Sequence, residues 1–154
     1  MDNLYLSVIV PVYNEEGAAA NLYQEILNVC QKINKPFEII FVNDGSTDKT
    51  LEVLKTLSPI KIVNLRGNFG QTAAMDAGIK AASGFYLATL DGDGQNDPAD
   101  IPNLIAELEK NDLDVVSGWR KNRKDTFMKK LSSKCAAYVR SEERRVGKEC
   151  RSRW

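Results

Sequence analysis

The chain contains no histidine among its 154 residues. Every mechanism that needs an imidazole base is thereby excluded, as are the usual histidine-ligated zinc enzymes. Cysteine is scarce. Cys30, Cys135 and Cys150 are too few and too scattered for a disulfide scaffold or a four-cysteine zinc site. No apolar run reaches the length of a membrane span. The opening MDNLYLSVIVPVYNEE has neither a basic flank nor a small-residue cleavage site, so neither signal peptide nor membrane anchor is expected there. The turn after the first apolar run lacks the G-x-G-x-x-G of dinucleotide sites and the G-K-[ST] of a P-loop, so phosphates are not expected to be cradled there. Net charge is absent too, with 21 basic and 21 acidic side chains. What remains is an ordinary globular composition, 43% hydrophobic, long enough for one domain with a proper core and too short for two.

The even charge balance conceals an uneven distribution. Residues 140–154, RSEERRVGKECRSRW, hold six basic and three acidic side chains, which leaves 15 of the basic and 18 of the acidic residues before them, a net charge of −3. A basic tail is a candidate arm for nucleic acid or anionic lipid. This one has no apolar periodicity, and it resembles the translation of a sequencing-adapter oligonucleotide. Residues 140–154 are therefore expected to be foreign to the protein, residues 1–139 to be the domain, and nucleic acid not to be a partner.

Strand and helix patterns alternate along the domain. Leu4–Pro11, Phe37–Val42, Ile60–Leu65 and Phe85–Leu90 are apolar, β-branched runs of strand length, and Val115-Val116 suggests a short fifth strand. Between them, Glu16–Ile33 places Ala19, Leu22, Ile26, Cys30 and Ile33 at helical spacing. Ser46-Thr47-Asp48 offers N-caps ahead of Leu51, Leu54 and Leu57. Gln71–Ala82 is an alanine-rich helix, Pro98–Lys110 begins with proline near its first turn, and Phe127–Val139 starts another helix. Such alternation predicts an α/β fold, a mainly parallel sheet with helices on both faces. Ligands of such sheets bind at the carboxyl ends of the strands, near a topological switch point. That rule selects the loops PVYNEE, NDGSTDKT, RGNFGQ, DGDGQND and SGWRKNRKD.

DGDGQND carries the clearest chemistry. Asp91, Asp93 and Gln95 alternate along a segment that leaves a buried strand, so their oxygens fall to one side. Two carboxylates and an amide oxygen suit Mg²⁺ or Mn²⁺, which take few protein ligands and complete their shell with water and phosphate. An acidic turn capping the next helix is the plainer alternative. An EF-hand is excluded, since its glycine and glutamate positions fall on Asn96 and Pro102. A haloacid-dehalogenase phosphatase places its D-x-D after the first strand rather than the fourth. In the first loop Tyr13 offers a ring for a base or ribose and Glu15 an acceptor for hydroxyls, while Asn14 suits a helix cap. Asp44 ends a strand and is placed to accept from the edge of a uracil or guanine; Thr47 and Asp48 suit caps. Arg66 in RGNFG and Arg120 in SGWRKNRKD are planar, permanently charged partners for phosphate. Lys121, Arg123 and Lys124 extend a basic loop that suits either solvent or an anionic membrane surface.

LSVIVPVYNEE, VNDGSTDKT, RGNFGQTAAMDAG, LDGDGQNDPADIP and VSGWR, in that order and spacing, resemble family 2 glycosyltransferases. The match is best to the polyprenyl-phosphate branch, typified by dolichyl-phosphate mannosyltransferase and bacterial undecaprenyl-phosphate glycosyltransferases. The resemblance implies a GT-A fold, a UDP- or GDP-sugar donor, a divalent metal (Mg²⁺ or Mn²⁺), a lipid phosphate acceptor, inversion at the anomeric carbon, and work at the cytoplasmic face of a membrane in envelope glycan synthesis. By position it implies that Pro11, Tyr13, Glu15, Asp44 and Asp91 hold the donor nucleotide, that Asp93 and Gln95 bind the metal, and that Asp91, Asp93 and Arg120 serve catalysis. Family members continue beyond this length with an acceptor-side segment, so donor binding without turnover is expected of the 154 residues. Two readings stand beside this one: an inactive nucleotide-binding fragment, and a glycosyltransferase of a glycan or alcohol acceptor. A nucleotidyltransferase would want a basic, glycine-rich first loop, and PVYNEE is acidic.

Overall fold

The computed structural model of the protein describes residues 4–94 and 96–118. Four parallel strands, β1 (Leu6–Val12), β2 (Phe37–Asn43), β3 (Lys61–Asn64) and β4 (Tyr86–Thr89), lie in the order β3-β2-β1-β4. Leu6 pairs with Phe37 and Val12 with Asn43, so β1 and β2 run together over their whole length. Helices α1 (Ala19–Ile33), α2 (Thr50–Thr56), α3 (Gln71–Ala81) and α4 (Ile101–Asn111) connect or follow the strands, and a 3-10 turn, Pro98–Asp100, leads into α4.

The two faces follow from the period of two along each strand. Leu6, Val8, Val10 and Val12 of β1, with Ile39 and Phe41 of β2, meet Leu22, Tyr23 and Ile26 of α1, Leu54 of α2, and Ile101 and Ile105 of α4. The intervening Ile9, Ile40 and Val42 meet Ala74 of α3 on the reverse face. Each large aliphatic buried in this way contributes about 1.5–3 kcal/mol. Asp97 marks the start of the 3-10 turn by accepting from the Ala99 N–H at 2.9 Å, with Pro98 at the first position.

The chain lays β2 and β3 to one side of β1, then crosses to lay β4 on the other. The switch point therefore falls between the carboxyl ends of β1 and β4, where PVYNEE meets DGDG.

Four sequence-based expectations change. Ser46 and Thr47 cap no helix, since α2 begins at Thr50 behind Lys49 and both residues are hydrogen-bonded to Asn14 instead. Helix α1 begins at Ala19 rather than Glu16, because the Glu16 N–H donates to Asp48 and its carboxylate accepts from the Lys49 N–H. Asn14 is no helix cap; it takes a φ of 55° and its Oδ1 accepts from the Thr47 N–H at 2.8 Å. Val115-Val116 forms no strand. Residues 115–118 carry no regular structure and Val115 is 81% exposed, as suits a run too short to build a ladder. Gln95, Arg120, the basic loop around Lys121, the helix expected over Phe127–Val139 and the tail 140–154 lie outside the described residues.

Candidate active site

Loop-to-loop hydrogen bonds tie the carboxyl rim of the sheet together. The first loop is stapled to the second through three backbone N–H groups. Asn14 donates to Ser46 Oγ at 3.0 Å, Glu15 to Thr50 Oγ1 at 2.8 Å, and Glu16 to Asp48 Oδ2 at 3.2 Å. Asp48 also accepts from the Thr50 N–H and hydroxyl. Desolvation pushes the Asp48 carboxyl upward, but the hydrogen bonds from Thr50 and Glu16 outweigh it and hold the group below its ordinary range.

The second loop holds the third through Asp44. Its carboxylate, 3% exposed, accepts from the Phe69 N–H at 2.8 Å and the Gly70 N–H at 2.9 Å. Gly45, at a φ of 66°, lets the two loops touch; a Cβ there would lie 2.7 Å from the Asn68 nitrogen. The third loop reaches the fourth through Gln71, whose Nε2 donates to Asp91 Oδ1 at 2.7 Å, while Asn96 Nδ2 donates to Asp91 Oδ2 at 3.0 Å. Gly92 closes the fourth loop onto β1, since a Cβ there would sit 2.6 Å from the Pro11 carbonyl oxygen.

These loops enclose a cleft of about 350 Å³ at the switch point. Pro11, Tyr13, Glu15, Asp44, Asp91 and Asp93, all singled out by the sequence, line it together. Tyr13 is 43% exposed, with its ring available to a planar ligand. Arg66 lies on the exposed surface and is not among the lining residues. Asn68, Gly70, Gln71 and Ala74 also line the cleft. Gln71 escaped the sequence reading, since a glutamine in a first helical turn carries no signal that its side chain turns back to a carboxylate twenty residues on.

The lining has four carboxylates and, among the described residues, no lysine or arginine. A cleft of that sign repels a diphosphate and attracts cations. Among the described residues no three histidine, cysteine or carboxylate groups converge to hold a metal by themselves. Hard oxygen donors arranged so sparsely fit Mg²⁺ or Mn²⁺ completed by phosphate oxygens, and do not fit a closed protein cage. No helix among the described residues is long and apolar enough to cross a membrane.

Comparison with known proteins finds relatives along most of the chain. The sequence profile of glycosyl transferase family 2 matches residues 7–150. The dodecaprenyl-phosphate galacturonate synthase of Rhizobium johnstonii is 46% identical over 145 residues, 90% of this chain and 43% of that protein. The undecaprenyl-phosphate 4-deoxy-4-formamido-L-arabinose transferase of Pectobacterium atrosepticum is 43% identical over 134 residues, 84% of this chain and 41% of that protein. The chain thus spans about two fifths of the length of these curated relatives. Among solved structures, S. aureus TarS 1-349 in complex with UDP-GlcNAc superposes with a TM-score of 0.58 at 24% identity, over 80% of this chain and 39% of that one. The mannosyltransferase PcManGT of Pyrobaculum calidifontis, in complex with GDP-Man and Mn²⁺, gives 0.55 at 22% identity, over 69% and 32%. The shared fold is the GT-A arrangement.

Proposed function

This chain belongs to glycosyl transferase family 2, and from that premise we propose that it binds a UDP- or GDP-linked sugar with a divalent cation in the switch-point cleft and serves transfer of that sugar to a polyprenyl phosphate. The convergence of Asp91 and Asp93 with Pro11, Tyr13, Glu15 and Asp44 on one cleft supports this most strongly. The names of the relatives support the acceptor class, a polyprenyl phosphate of the dodecaprenyl or undecaprenyl kind.

In this reading Tyr13 packs on the base or ribose. Glu15 and Asp91 accept from donor hydroxyls, and the oxygens of Asp44 complete the nucleoside end. Asp93, with Gln95, would hold Mg²⁺ or Mn²⁺ against the diphosphate. The cation, when bound, offsets the negative charge that grows on the leaving diphosphate. An oxygen of the lipid phosphate attacks the anomeric carbon from the opposite face. The bond from that carbon to the diphosphate oxygen breaks, and the nucleoside diphosphate departs with the electron pair. A phosphate monoester with a second pKa of about 6 is largely dianionic at neutral pH and needs no general base, which suits a chain without histidine. Arg120 would engage phosphate, of the donor or of the acceptor, and a lipid acceptor would put the reaction at the cytoplasmic face of a membrane. The residues contribute positioning and electrostatics rather than proton transfer.

The test is transfer from a panel of UDP- and GDP-sugars to undecaprenyl phosphate by membranes expressing the complete reading frame. A single lipid-phosphate sugar, inverted at the anomeric carbon and abolished by Asp93→Ala, is expected. Transfer only to a glycan or alcohol would contradict the acceptor assignment.

A further inference from the structure

The Asp91 carboxylate is held from two sides, and one of its holders comes from another loop. Asn96 belongs to the same loop as Asp91 and donates at 3.0 Å. Gln71 is the first residue of α3 and donates at 2.7 Å across the gap between the third and fourth loops. Its own backbone is fixed from behind. Gly70 stands at a φ of 90°, its N–H is held by Asp44, and its carbonyl accepts from the Ala74 N–H to open the helix. The side chain of Gln71 therefore starts from a hydrogen-bonded base, itself lines the cleft, and reaches the carboxylate with its terminal amide.

We propose that Gln71 is a positioning residue for the donor site: its side-chain amide fixes the orientation in which Asp91 meets the donor, and couples that carboxylate to the Asp44-held third loop. The proposal rests on the donor-site reading above. The Gln71–Asp91 bond is exposed to solvent. A nucleotide sugar filling the cleft would exclude that water and strengthen the bond, because charge-assisted hydrogen bonds gain as the local dielectric falls. The contribution of Gln71 is thus realised when donor is bound, with little effect on the stability of the free chain.

Two measurements on the 154-residue chain test this. The first needs no ligand. Side-chain amide resonances of Gln71 are compared between the native chain and Asp91→Asn, and a clear shift confined to Gln71 and its neighbours is expected. Unmoved Gln71 resonances overturn the proposal. The second is calorimetry of UDP and GDP with Mn²⁺ on the native chain, Gln71→Met, Asp91→Asn and the double variant. Gln71→Met is expected to bind about tenfold more weakly, the loss of one charge-assisted bond, at an unchanged melting temperature. In the Asp91→Asn background the same change is expected to matter less than about twofold, because Gln71 acts through Asp91. Penalties that simply add mean that Gln71 touches the donor on its own account, and overturn the positioning role. Native-like binding by Gln71→Met overturns it as well and leaves the donor reading intact. A folded native chain that binds neither nucleotide overturns the donor reading, and this proposal with it.

Discussion

At position 44 a single buried carboxylate takes two backbone N–H groups of another loop and still borders the cleft. Removing it strands both donors in a poorly hydrated place, so Asp44→Ala is expected to lose about 2–4 kcal/mol of stability in urea denaturation. Asp44→Asn, which keeps one acceptor oxygen, should lose about half as much. The sequence showed Asp44 as a ligand-facing acid at a strand end. It could not show the clamp, because nothing local records that residues 69 and 70 return to it. Asn14 and Gln71 were illegible for the same reason, as their partners lie in other loops. Asp48 carries a prediction of pH dependence. Its folded carboxyl lies below the ordinary value of 3.8, so its contribution is complete above that value and is lost as pH falls through the lower folded one. The stability gap between the native chain and Asp48→Asn should therefore be constant from neutral pH down to about 4 and close below it. A gap that widens on acidification would contradict the assignment.

At the scale of elements, the strands and helices of the described residues were legible because the central strands β1 and β2 are apolar runs buried on both faces, the edge strands β3 and β4 are short, partly buried runs, and the helices turn an apolar side to the sheet. Their ends were less so. The start of α1 was decided by loop contacts from Asp48 and Lys49, and Val115-Val116 gained no strand. The opposite end of the sheet shows how α4 is fastened. Tyr5 and Tyr86 hydroxyls both donate to Glu109 Oε1, at 3.0 and 3.1 Å, and their rings pack edge to face 5.1 Å apart. Burial, and then the bond to the Glu109 carboxylate, push the Tyr5 hydroxyl up to about 12. Its contribution is complete below its ordinary value of 10.0 and disappears as pH rises toward 12. Ultraviolet titration of Glu109→Gln should show a tyrosine midpoint moved down toward 10.0; an unchanged midpoint would mean that burial alone raises it. At the junction of β1 and the fourth loop, Gly92→Ala drives a methyl against the Pro11 carbonyl and Val12. It is expected to cost about 1–3 kcal/mol of stability and to weaken nucleotide binding, both read from one denaturation series with and without UDP or GDP and Mn²⁺.

Across the described residues, the order β3-β2-β1-β4 brings chemistry from four separate stretches of sequence to one rim. The alternation of strands and helices announced that rim, and the motif order announced the family whose profile the chain matches. The grouping of the cleft's acids was expected from the resemblance, but the basic residues around them could not be ruled in or out. In the fold Glu15, Asp44, Asp91 and Asp93 line one cleft of about 350 Å³, with no described basic side chain in its lining. On the proposed reading a cation would offset that negative charge when a diphosphate enters, so nucleotide binding is predicted to depend on the cation. Calorimetry of UDP and GDP against the chain, with and without Mn²⁺, tests this most directly. Binding of one nucleotide that requires Mn²⁺ and vanishes in Asp93→Ala is the predicted result. Equal affinity with and without the cation, from a folded sample, would contradict it.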